Sequence, residues 1–167
     1  MTILVVDDTP HIADLVRFYV RRLNPPMDVI ETDSCVKALR VFENELTEIA
    51  CVLMDQRLPG AEGTDCVKEL RSMNFDGPII MLTGHLDSQT VSKAFQSGAD
   101  DFVMKDVMAT ELATAIELAI RRRQELADIR KAYAHRLSEL HEVYDVLDKT
   151  VSNVKRYLND IDDNLKR

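Results

Sequence analysis

Five short apolar runs, each followed by an amphipathic stretch, constrain this chain more than any other feature. They are Ile3-Leu4-Val5-Val6, Val29-Ile30, Ile49 through Met54, Pro78 through Leu82 and Asp101 through Met104. A strand reads as near-continuously apolar when helices cover both faces of its sheet. Between the runs, Pro10 to Leu23, Ser34 to Glu45, Thr64 to Met73 and Ser88 to Gln96 carry apolar residues three and four apart, the helical period. Thr9-Pro10 and Asp33-Ser34 suit helix starts, and Gly98 suits a helix stop. The pattern predicts an α/β fold built on a five-stranded, parallel, doubly wound sheet.

No glycine or proline follows Gly98, and helix formers dominate from there on. With Thr110 as its cap, a last helix is expected over 110–167. Apolar residues at Leu137, Leu140, Tyr144, Leu147, Val151, Val154, Leu158, Ile161 and Leu165 step by three and four in strict alternation. That spacing predicts a coiled coil. Leu126, Ile129 and Tyr133 extend the seam upstream, with four-residue steps on both sides of Tyr133, a stutter that unwinds the supercoil locally. The expected division is a domain over 1–121 and a helix over 110–167, coiled coil from about 122. A lone helix would leave its seam in water, so a homodimer through this helix is expected. The alternative is a helix folded back on the domain, for which only Asn153, Asn159 and Asn164 could help make a turn.

Residues 111–167 balance eleven acids with eleven bases, so the entire net charge of −8 lies in residues 1–110. Such an acidic domain lacks the clustered cations that nucleic-acid phosphates demand, so no nucleic-acid contact is expected. No apolar run approaches the roughly 18–20 residues of a membrane span, and the first residues lack a secretory signal. Cys35, Cys51 and Cys66 show no CxxC spacing and read as small buried hydrophobes rather than disulfide partners or metal ligands. The expected setting is a reducing cytoplasm without membrane contact.

Sites in doubly wound sheets form at the carboxyl ends of strands. Asp7 and Asp8 follow the first run, Asp55 the third, Thr83 the fourth and Lys105 the fifth. Three converging acids repel one another unless a divalent cation joins them, and hard oxygen ligands suit Mg²⁺. A lysine ammonium and a threonine hydroxyl would hold the other oxygens of a transferring phosphoryl group. A carboxylate can then act as nucleophile and become an acyl phosphate.

Val5-Val6-Asp7-Asp8-Thr9-Pro10, Met54-Asp55 through Gly63, Met81-Leu82-Thr83-Gly84 and Gly98 through Lys105 together resemble the receiver domain of two-component response regulators. The resemblance covers residues 1 to about 121. It implies a flavodoxin-like strand order of 2-1-3-4-5 and phosphorylation of Asp55 by a sensor histidine kinase or phosphotransfer protein. It further implies Mg²⁺ held directly by Asp8, Asp55 and the Arg57 carbonyl, with Asp7 acting through water. Lys105 would pair with the phosphoryl group, Thr83 would swing toward it, and Phe102 would be the aromatic switch. No enzymatic activity is expected beyond accepting the phosphoryl group and losing it by autodephosphorylation.

Three residues depart from the family pattern. Asp106 stands where the family has a cis-linked proline, and a non-proline cis bond costs about 2.5–4 kcal/mol, so a trans loop is expected. Arg57 and His85 join it at the pocket rim, where water access sets the lifetime of an acyl phosphate. His135, His141 and Arg121-Arg122-Arg123 read as solvated helix positions. The resulting expectation is a response regulator that signals to a partner through a coiled-coil dimer. The alternative is the N-terminal regulatory part of a larger response regulator with an enzymatic output domain.

Overall fold

The computed structural model describes residues 1–43, 48–85 and 87–165, by backbone alone at 157 and 160–165. The end of the expected second helix at Asn44 and Glu45, and the seam side chains of Ile161 and Leu165, lie outside that description. The chain divides into two units, Met1–Gln124 and Glu125–Arg167.

The first unit is built on strands β1 (Thr2–Val6), β2 (Asp28–Thr32), β3 (Ile49–Asp55), β4 (Ile79–Thr83) and β5 (Asp101–Met104). They form one parallel sheet in the order β2-β1-β3-β4-β5, the flavodoxin-like arrangement. Between them run α1 (Pro10–Val20), α2 (Cys35–Glu43), α3 (Gly63–Ser72) and α4 (Ser88–Ser97), and α5 (Met108–Leu165) follows β5.

Side chains that alternate along the strands feed two separate cores. Ile3, Val5, Leu53, Ile80, Leu82 and Val103 pack with α1 and with Met108, Leu112, Ile116 and Ala119 of α5. Leu4, Val6, Val52, Met54, Ile79 and Met81 pack on the other face with Ala38, Val67, Leu70 and Ala94 of α2, α3 and α4. Both faces of the sheet are dry, which is why its strands read as unbroken apolar runs.

Helix boundaries follow local chemistry. Pro10 occupies the first turn of α1, where its missing N–H costs nothing. Asp87 caps α4 by accepting from the N–H groups of Gln89 and Thr90, and Gly98 closes it at φ 100°. The last helix starts two residues before the expected cap, and Thr110 lies inside it with its hydroxyl on the Val107 carbonyl. Burial of Met108 on the core stripe extends the helix backwards past Thr110.

Two expectations need correction. Cys35 and Cys66 form a disulfide between the start of α2 and α3, and only Cys51 is a free buried thiol. The two lie 31 positions apart, so spacing gave no sign of the contact, and cysteine usage no longer supports a reducing compartment. Arg123 is not solvated: it pairs with Asp100 and Asp76 inside the first unit.

In the second unit, residues 125–165 are helical throughout. Every described side chain there is exposed, including Leu137, Leu140, Tyr144, Leu147, Val151, Val154 and Leu158 of the seam. No helix among the described residues is long and apolar enough to cross a membrane.

Candidate functional site

The hydrogen-bond ladder of the sheet continues one residue past the strands and so fixes the site. The Asp7 N–H donates to the Thr32 carbonyl at 3.0 Å, Gln56 to Leu82 at 2.9 Å, and Lys105 to Thr83 at 2.8 Å. Three strand ends thereby deliver Asp7, Asp55 and Lys105 to one place, and Asp8 follows directly on Asp7.

Carboxylate oxygens of Asp7, Asp8 and Asp55 lie within 4.8 Å of one another, with Asp7 and Asp55 buried and Asp8 exposed. The Lys105 Nζ stands 2.8 Å from Oδ2 of Asp7 and 3.0 Å from Oδ1 of Asp55. Burial pushes the Asp55 carboxyl above its ordinary value, Lys105 and an Arg57 backbone N–H oppose this, and the charge on Asp7 adds to it. Burial works to lower the Lys105 ammonium, but the Asp7 and Asp55 carboxylates outweigh it and raise the net value. This is a donor set of hard oxygens with an excess of negative charge that one lysine only partly balances, and it fits a small divalent cation.

The remaining expected residues fall around this centre. Thr83 is buried at the end of β4, where its hydroxyl donates to the His85 carbonyl at 2.7 Å and accepts from the His85 N–H at 3.2 Å. Phe102 is half-buried and meets Phe95 of α4 edge to face, centroids 6.1 Å apart. Asp55, Arg57, Thr83, His85 and Lys105 line one cavity of about 410 Å³, shared with Lys93 of α4. Asp106 is exposed in the turn after β5. Its peptide with Lys105 is trans, since the one cis peptide among the described residues joins Asn24 to Pro25.

Several features of the site were not expected from sequence. Arg57–Leu58 and Ala61–Glu62 form a small antiparallel hairpin, with Gly60 at φ 76° in its turn. Gly63 then passes so close to β3 that a Cβ there would overlap the Asp55 carbonyl oxygen. The Gln56 Oε1, one residue after Asp55 in the chain, is buried without a hydrogen-bond partner among the described residues. Glycine at position 63 was the one sequence signal available for this close approach.

Residues 3–117 match the family model described as response regulator receiver domain. The chain belongs to the receiver family of two-component response regulators. The receiver is 30% identical over 158 residues to the response regulator protein TodT of Pseudomonas putida, covering 93% of this chain and 65% of that protein. It is 36% identical over 124 residues to the DNA-binding response regulator MtrA of Mycolicibacterium smegmatis, covering 74% of this chain and 52% of that protein. A response regulator receiver domain protein from Clostridium thermocellum superposes with a TM-score of 0.66 at 30% identity, covering 75% of this chain and 98% of that structure. This chain thus spans about two thirds or less of the full length of those two relatives.

Proposed function

We propose that Asp55 accepts a phosphoryl group from a histidine kinase or phosphotransfer protein, and that the second unit passes the signal on as a homodimer. The observation that carries this is the placement of Asp55: buried, grouped with Asp7 and Asp8, and 3.0 Å from the Lys105 ammonium. An Asp55 oxygen bonds to phosphorus as the bond from phosphorus to the donor nitrogen breaks, and the donor imidazole keeps the electron pair. Asp7, Asp8 and Asp55 would hold Mg²⁺, with the Arg57 carbonyl as a further ligand. The metal would supply positive charge to the phosphoryl oxygens. The Lys105 ammonium would pair with the same oxygens. To do so it gives up part of its present pairing with Asp7 and Asp55. Thr83 turns toward the acyl phosphate by leaving the His85 carbonyl, which opens space for Phe102 to move inward. Beyond this transfer and hydrolysis of the acyl phosphate, which releases inorganic phosphate and restores the Asp55 carboxylate, the receiver performs no catalysis.

The test is intact-mass measurement after incubation with a phosphorylated kinase or a small phosphoramidate donor and Mg²⁺. One added phosphoryl group, labile to base and to hydroxylamine as an acyl phosphate is, is expected, absent from Asp55→Asn and without added metal. Unchanged mass, or a modification that survives Asp55→Asn, rejects the reading.

A second reading is favoured by the coverage of TodT and MtrA: residues 1–167 are the regulatory front of a longer regulator with its own output domain. The acidic first 110 residues oppose contact with phosphate backbones. A DNA-binding output, like an enzymatic one, would then belong to sequence outside this chain. Reading the native frame past Arg167 decides between the two.

A further inference from the structure

Leu137, Tyr144, Val151 and Leu158 hold the first core position of the heptad, and Leu140, Leu147 and Val154 the second. All seven are exposed, so the helix presents an apolar stripe of continuous heptads to solvent. The charges beside that stripe are sparse. The position after the second core residue carries His141, Asp148 and Lys155, and the position before the first carries Arg136, Val143 and Thr150. Neither Asp148 nor Lys155 has an ion-pair partner among the described residues.

In a parallel pair, flanking positions meet five residues apart across the interface. Arg136 would face His141, Val143 would face Asp148, and Thr150 would face Lys155. No complementary charge pair forms, and one contact sets a cation against a histidine.

In an antiparallel pair, like flanking positions meet instead. The register that sets Val151 against Val154 of the second copy, and Leu147 against Leu158, also sets Asp148 against Lys155, twice by symmetry. Sliding one heptad one way puts Asp148 against Asp148 and His141 against Lys155. Sliding one heptad the other way puts Lys155 against Lys155. Flanking charges select partners and registers by such repulsion as much as by attraction.

From this pattern we infer that the second unit binds a second copy of itself antiparallel, centred between Val151 and Val154. The inference rests on the homodimer reading above and adds its direction and register. The charge pairs need no rearrangement of the helix, because both side chains are already solvent-facing beside the stripe.

The experiment is pulsed electron paramagnetic resonance on the full chain carrying a nitroxide at Ser138→Cys. Non-reducing labelling spares the native cysteines, because Cys51 is buried and Cys35 and Cys66 are bonded. At ~1.5 Å rise per residue, the antiparallel register separates the two labels by about 45 Å, whereas a parallel pair brings them within about 20 Å. A distance near the longer value supports the inference. The shorter distance overturns the orientation and leaves the dimer standing. A monomer by sedimentation, with no intermolecular distance, overturns both. Charge exchange gives an independent reading. Asp148→Lys and Lys155→Asp should each weaken dimerisation about tenfold, and the double variant should recover it to within about threefold. Indifference of the dimer to all three variants overturns the register.

Discussion

Lys105 reaches from the end of β5 to the end of β3, placing its Nζ 3.0 Å from Oδ1 of Asp55. The same nitrogen stands 2.8 Å from Asp7, so one ammonium serves two buried carboxylates. The resting site is therefore short of positive charge. Burial and the Asp7 charge both raise the Asp55 carboxyl, which is the electrostatic condition that a divalent metal relieves.

Replacing Asp55 by Asn should separate stability from function. The substitution removes a buried charge that faces Asp7, while Lys105 keeps its ion pair with Asp7. Without divalent metal the melting temperature should rise by about 2–5 °C. Phosphoryl acceptance should disappear. Thermal denaturation with and without Mg²⁺ checks the first part, and a lowered melting temperature in metal-free buffer counts against the charge argument.

Gly63→Ala should damage both fold and site. A methyl group there meets the Asp55 carbonyl oxygen, which is backbone of a central strand and cannot turn aside. Overpacking of this kind costs about 1–3 kcal/mol, and relief would shift the end of β3 that carries Asp55. Urea unfolding should show the loss, and the rate of phosphoryl acceptance should fall with it. Wild-type values for both would show that α3 can move away freely.

What the sequence revealed was the part written in periodicity. The apolar runs of β1, β3 and β4 announce a sheet covered on both faces. The chemistry at their ends then follows from the rule that such sheets carry sites at carboxyl ends. Pairings between distant residues left no such trace. Lys105 could be placed near the carboxylates, but not with Asp7 as its nearer partner. Thr83 could be placed at a strand end, but its two hydrogen bonds with His85 depend on the path of the turn. Arg123 sat in a run of three arginines on a helix that looked solvated, and only the fold brings Asp100 beside it. Cys35 and Cys66 lie on different helices, and their meeting is decided by how α2 and α3 pack.

Asp100 is the hub of that hidden network. Its Oδ2 accepts from Arg71 at 2.7 Å and from the Ile79 N–H at 2.8 Å, and its Oδ1 accepts twice from Arg123, at 2.6 and 2.9 Å. Asp100→Ala removes the carboxylate shared by two guanidiniums whose side chains are only about a fifth exposed, leaving Arg71 on backbone carbonyls and Arg123 on Asp76, and orphans a strand N–H. A loss of about 2–4 kcal/mol is expected in chemical denaturation. An effect below about 0.5 kcal/mol would assign these pairs to the weak surface class.

The α4 cap should give a defined pH response. Hydrogen bonds from the Thr90 backbone and hydroxyl hold the Asp87 carboxyl below its ordinary value. A carboxyl depressed on folding adds stability above its unfolded value and loses it as pH falls through the folded one. Asp87→Ala should therefore lower the melting temperature by about 3–6 °C at neutral pH. The gap between variant and wild type should narrow as pH drops below about 4. A gap independent of pH would mean that the carboxylate charge is not what the cap uses.

The rim of the acceptor cavity should govern how long the acyl phosphate survives. Arg57 and His85 line the same cavity as Asp55, one from the hairpin and the other from the turn after β4. Hydrolysis needs a water in line with the phosphorus, and side chains at the mouth decide whether one can stand there. His85 is held by both its backbone hydrogen bonds to Thr83, so truncating its side chain leaves the turn intact. Arg57 is held by its pairing with Glu62 across the hairpin, so its guanidinium can likewise be removed without moving the backbone. Arg57→Ala and His85→Ala should each change the first-order decay of phosphorylated protein by about threefold or more, with acceptance still dependent on Asp55. Decay of the isolated phosphoprotein, followed by gel mobility or intact mass, measures this directly. Rates equal to wild type in both variants would remove these two side chains from any control of the phosphate's lifetime.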